Sequence, residues 1–146
     1  MNNLSKLPIR LKELMQEKEI NAAKLAKDLK IEQSVISKFL KGQRLPSLAT
    51  LVKLADYFNC TTDYLLGETD ILDDRAFKQR PPFEEQLSYL LKYFNKTKYR
   101  LKFDAEVAED TINNWHKGKY EPNIENLLRL KKAFDCSLDF IIGREI

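Results

Sequence analysis

One offset of 76 residues aligns the chain with itself. Gly42 and Pro46 recur as Gly118 and Pro122, Leu25 as Leu101, Asp28 as Asp104 and Lys41 as Lys117. Further along, Leu51 pairs with Leu127, Leu54 with Leu130, Phe58 with Phe134, Cys60 with Cys136, Asp63 with Asp139 and Gly67 with Gly143. No gap is needed, so the repeat is a whole folding unit rather than a shared motif. The 146 residues therefore divide into two copies of about 60 residues, near the lower limit for independent folding. We place them at 1–67 and 85–146, with a linker over 68–84.

Units so short must be locally connected. Four glycines and five prolines are too few for a chain of β-turns. Instead, Ile9, Leu11, Leu14 and Met15 recur at helical spacing, with Arg10, Lys12, Glu13, Glu17 and Lys18 assigned to the polar side. Asn21 is placed to cap a second helix, Ala22 to Leu29, whose inner stripe is Leu25, Ala26 and Leu29. Three residues later a third helix runs from Gln33 to Leu40, with Val35, Ile36, Phe39 and Leu40 inward. Gly42 stands where a left-handed C-terminal residue is expected. Ser47 can cap a fourth helix through Leu48, Leu51, Leu54, Ala55 and Phe58. Thr61 or Thr62 can cap a short fifth helix stopped by Gly67. The expectation is all-α, with two helices joined by a three-residue turn in each copy.

The outward residues of the third helix are amides, hydroxyls and cations. No acid occurs between Gln33 and Arg44. Short and long polar groups side by side suit base edges beside phosphates. The net charge of +3 permits nucleic acid without requiring it.

The stretch from Asn21 to Gly67 resembles the Cro/C1-repressor-type, or XRE, helix-turn-helix family. The likeness rests on Leu25-Ala26, on Val35-Ile36-Ser37, on Gly42, Arg44, Pro46 and Ser47, and on Leu65-Leu66-Gly67. It covers nearly all of residues 9–67. The resemblance implies two tandem five-helix lambda-repressor-like domains, binding of double-stranded DNA, and transcriptional regulation, as a repressor of bacterial or phage type. By position it makes Gln33, Ser34, Ser37 and Lys38 base-facing, and Lys24, Lys41, Gln43 and Arg44 phosphate-facing. Where the family often carries Gln just after the second helix's cap, this chain has Ala22, so that side-chain contact is absent.

The second copy keeps the apolar frame through Leu87, Leu90, Leu101, Val107, Ile112, Trp115, Leu127, Leu130 and Phe134, with Thr97 as a cap. Its third helix begins with Glu109 and Asp110 where the first has Gln33 and Ser34. Carboxylates suit the helix dipole but repel phosphate. Asn113 and Asn114 stay as base-facing candidates, and Lys98, Lys117 and Lys119 as phosphate-facing ones. Three readings stand for this copy: a reader of another half-site, a pairing or regulatory surface for a homodimer or protein partner, or a stabilising appendage. Tyr89, Tyr93, Phe94 and Tyr99 make its first half aromatic.

Between the copies, Ile71, Leu72 and Phe77 are too apolar for a free tether, and Pro81-Pro82 stops any helix before it. Fully extended, 17 residues reach roughly 55 Å, beyond the 34 Å or so between successive major grooves on one face. Met1 to Lys6 are expected to be disordered. No enzyme is expected. His116 is the sole histidine and stands beside Trp115 and Lys117, which complete no triad or metal centre. Asp63 and Asp139 read as dipole-compensating acids at short helix starts, and the two cysteines as core positions. No cofactor or metal is implied. No long apolar run or signal peptide is present, so a soluble cytoplasmic protein is the default.

Overall fold

A computed structural model describes residues 5–73 and 75–146. It separates into two compact units, Met1–Arg75 and Ala76–Ile146. The first contains α1 (Leu7–Glu17), α2 (Ala22–Leu29), α3 (Gln33–Leu40), α4 (Leu48–Phe58) and α5 (Thr62–Leu66). The second contains α6 (Phe83–Tyr93), α7 (Lys98–Ala105), α8 (Glu109–His116), α9 (Ile124–Phe134) and α10 (Leu138–Ile142). Among the described residues there is no strand, only an isolated bridge between Phe77 and Glu145. No described helix is long and apolar enough to cross a membrane.

Local chemistry sets the helix starts. Asn21, Ser47 and Thr61 accept hydrogen bonds from the backbone N–H groups of Lys24, Thr50 and Tyr64. Thr97, Asn123 and Ser137 do the same for Arg100, Asn126 and Phe140. Each satisfies a donor that the first helical turn would otherwise leave open. The ends are set as locally. Left-handed residues occur at Glu19, Lys30, Gly42, Asn59 and Gly67, and again at Asn95, Glu106, Gly118, Asp135 and Gly143. Each in the second series lies 76 residues after one in the first, so the backbone turns recur at the sequence offset.

In the first unit α1 packs on α3 and α5, and α2 on α3. Leu11, Leu25, Ile36, Leu51, Leu54 and Leu65 meet in a core closed to solvent. In the second, α6 packs on α8 and α10, and α7 on α8 and α9. Trp115 fills the place of Phe39 and meets Phe83 edge-on, with ring centroids 6.0 Å apart. Cys60 is fully buried and Cys136 half-buried.

Several expectations change on folding. Arg10, assigned to the polar side of α1, is buried. Its guanidinium donates to the carbonyls of Tyr64 and Thr69 at 2.8 and 3.0 Å and to Asp70 at 2.6 Å. It also lies over the Tyr64 ring. Gln86, at the same place in the second unit, donates to the carbonyl of Phe140 at 2.8 Å, so one brace is kept with a neutral side chain. Asp139 does more than face a helix dipole: it is buried in an ion pair with Arg144 at 3.1 Å. Of the apolar segment between the copies only part is covered: Ile71 and Leu72 stay 70% and 50% exposed. Only Phe77 of that apolar set is held, under the Arg144 guanidinium at 3.8 Å. Of Met1 to Lys6, the first four lie outside the described residues. Ser5 and Lys6 are ordered: Ser5 Oγ accepts from the Leu7 N–H at 2.9 Å and the Lys6 N–H donates to the Leu66 carbonyl at 3.2 Å.

Candidate nucleic-acid interface

The α2–turn–α3 element positions the candidate residues. Lys30, in the left-handed region, ends α2, and Ile31 and Glu32 lead into α3. Ile36 and Phe39 are buried, which fixes the rotation of α3 about its axis. Val35 and Leu40 are only half-buried. The opposite side presents Gln33, Ser34 and Lys38 exposed and Ser37 half-exposed, with Lys41, Gln43 and Arg44 exposed beyond the helix end. Among the described residues, none of these seven side chains makes a hydrogen bond or ion pair within the protein. Donors and acceptors held open on one face are available to a ligand at little reorganisation cost. Three cations and no acid lie between Gln33 and Arg44, so the face attracts an anion.

Lys24 sits apart from this pattern. Its ammonium pairs with Asp28 at 3.2 Å, one helical turn away. The Tyr57 hydroxyl donates to the same carboxylate at 2.6 Å and, with Lys24 and Lys27, holds Asp28 below the usual carboxylate range. The anion thus stays charged beside Lys24 and offsets it. The i,i+4 spacing made the Lys24–Asp28 pair legible in sequence. Tyr57, 29 residues from Asp28, gave no such signal.

The equivalent surface of the second unit is tied up internally. Lys98 Nζ donates to Asn113 Oδ1 at 3.2 Å, so the expected phosphate and base contacts face each other. Asn114 Nδ2 donates to the Tyr120 hydroxyl at 3.2 Å. Glu109 takes an ion pair from Lys102 at 3.4 Å. Lys117 and Lys119 are exposed and, among the described residues, unpaired. Residues 109–120 balance two acids against two lysines. Where the first unit has Lys38 and Arg44, this one has Asn114 and Tyr120.

His116 is half-buried, with Nε2 2.8 Å from Ser88 Oγ. Burial, then the nearby Lys98, pushes its pKa below the ordinary value. Its other nitrogen has no carboxylate partner among the described residues, so the pair lacks the group that would orient a catalytic base. No group of three or more His, Cys, Asp or Glu side chains that could hold a metal occurs among the described residues.

Residues 11–65 match the helix-turn-helix family. The HTH-type transcriptional regulator ImmR of Bacillus subtilis strain 168 is 28% identical over 132 residues, spanning 90% of this chain and 91% of that protein. An uncharacterized HTH-type transcriptional regulator of Coxiella burnetii is 35% identical over 74 residues. That match takes in 50% of this chain and 34% of the relative, about a third of its length. No solved structure matches the chain.

Proposed function

We propose that the chain is a sequence-specific, double-stranded-DNA-binding transcriptional regulator acting as a repressor. The first unit supplies the DNA-reading surface. The observation that carries this reading is the α3 face: polar, free of acid, unpaired, and within the stretch that matches the helix-turn-helix family. In this reading α3 enters the major groove. Gln33 and Ser34, at its start, and Ser37 and Lys38, one turn on, address base edges. Lys41, Gln43 and Arg44 hold the phosphates that flank them. Lys24 contributes less, because Asp28 already neutralises much of its charge. Bound protein acts by blocking access to the site. This role needs no cofactor or catalytic group, and it places the protein in the cytoplasm with the chromosome.

A second reading applies to residues 85–146, which repeat the helix order and turn positions of the first unit. Internal pairing of Lys98 with Asn113 and Asn114 with Tyr120, and the acidic start of α8, favour a pairing surface there over base reading. Selection of bound duplexes from a random pool, with the full-length chain, tests both. The wild type should enrich one short sequence. Gln33→Ala and Ser37→Ala should relax preference at single base positions, whereas Asn113→Ala should leave the selected sequence unchanged. A wild-type chain that enriches no sequence would defeat the DNA reading. A preference altered by Asn113→Ala would return base reading to the second unit.

A further inference from the structure

The outward face of α6 carries aromatic side chains that its own fold leaves largely open to solvent. Tyr89 and Tyr93 are 48% and 60% exposed, yet they belong to a continuous ring cluster. Tyr89 and Tyr93 lie 5.6 Å apart, Tyr93 and Phe94 4.9 Å, and both tyrosines contact Phe140 of α10 at 6.2 and 5.2 Å. The first unit provides an internal control. At the matching places of the same helix arrangement it carries Glu13 for Tyr89, Glu17 for Tyr93 and Lys18 for Phe94. The fold therefore accepts charge there, and the aromatic ledge needs another explanation. Exposed contiguous aromatics are a feature of association surfaces rather than of free ones.

The charges flanking the ledge point to its occupant. Glu85, Tyr89, Lys92 and Tyr93 lie along one stripe of α6 at helical spacing, with the acid at one end and the base at the other. Both Glu85 and Lys92 are exposed, and neither has an ion-pair partner among the described residues. Two such stripes laid antiparallel about a two-fold axis passing between Ser88 and Tyr89 bring Glu85 of each copy opposite Lys92 of the other. Tyr89 of each copy then meets the other at the centre, and Tyr93 lies about one turn out, facing the acidic end of the other stripe. An isologous contact requires a surface complementary to itself under that operation, and this stripe has that property. We infer that the α6 face of the second unit is a self-association surface whose partner is the same face of a second copy of this chain. The inference rests on the reading of the second unit as a pairing surface, and not on DNA binding by the first.

Sedimentation of the full-length chain without DNA, from about 1 to 200 μM, tests it. The wild type should show a monomer–dimer equilibrium. Tyr89→Glu and Tyr93→Glu install the residues that the first unit carries at those places. Each should weaken association about thirtyfold or more, with the emission of the single, buried Trp115 unchanged as evidence that the second unit remains folded. Glu85→Lys or Lys92→Glu alone should each weaken association by about tenfold, through two repulsive pairs per dimer. The two reversals together should restore it. A monomer throughout, a dimer indifferent to Tyr89→Glu, or a double reversal no better than the singles would each overturn the proposal. Lys38→Ala with Arg44→Ala should leave self-association untouched. Failure of the DNA reading therefore appears in a different measurement.

Discussion

Removing Lys41 and Arg44 tests the DNA interface through its electrostatics. Both side chains are exposed and, among the described residues, paired with nothing. Alanine at these places therefore leaves no orphaned acid, and thermal stability should move by no more than about 0.5 kcal/mol. If each cation neutralises one phosphate, each release of counterion contributes about 0.9 to the slope of log K against log salt. The double variant should then lose about 1.8 of that slope. Between about 50 and 200 mM salt, a fourfold change, each contact accounts for a factor of about 3.5 and the pair for about 12. Wild-type affinity should accordingly fall about twelvefold further than that of the variant over this interval. The assay is fluorescence anisotropy of a labelled duplex carrying the selected sequence, repeated across salt. Lys117→Ala with Lys119→Ala, two exposed lysines at the equivalent place in the second unit, is the matched control and should leave the slope nearly unchanged. An unaltered slope in the double variant would refute the assignment. A larger drop in the control would move the phosphate contacts to the second unit.

Three further outcomes are expected. Because folding lowers the His116 pKa, its contribution to stability is present above the unfolded value of 6.5 and is lost as pH falls through that value, where the unfolded chain takes up the proton first. Urea melts followed by Trp115 emission should show this acid-side loss, and His116→Gln should flatten it. Arg10→Ala strips partners from the Tyr64 and Thr69 carbonyls and from Asp70, so calorimetry should register a loss of about 2–3 kcal/mol. Arg10→Gln, the residue that the second unit uses as Gln86, should recover part of it by keeping the Tyr64 bond. Finally, Gly143→Ala meets two obstacles: a left-handed backbone, and Gln86 Oε1 and Pro81 Cδ at 2.6 and 2.7 Å from the new methyl. Gly42→Ala meets only the first, with Pro8 at 3.5 Å. Chemical denaturation should give about 1 kcal/mol for Gly42→Ala and a larger loss for Gly143→Ala.

The elements legible in the chain were those fixed by neighbours in sequence. Helices α2 and α3 begin and end where the Asn21 cap, the apolar spacing and Gly42 placed them. Ser47, Thr61 and Thr97 likewise cap the helices assigned to them. The exposed face of α3 was also readable, because burying Ile36 and Phe39 turns Gln33, Ser34 and Lys38 outward by helical geometry alone. Ile71 and Leu72 were not, since hydropathy says what a side chain would prefer and not whether a surface lies within reach.

Sequence by itself thus determined the repeat, the helix boundaries and the residue types on each outward face, since caps, left-handed stops and periodicity act over a turn or two. Tertiary structure decided which of those polar groups are free. Lys98 lies 15 residues from Asn113, Ser88 28 from His116 and Arg10 60 from Asp70, and each pair meets only after helices pack. Packing also brought Tyr89 and Tyr93 against Phe140, turning tyrosines spaced along one helix into a continuous aromatic surface. Hydrogen bonds and ring contacts act over a few ångströms, and chain separation does not encode that distance until the core has closed.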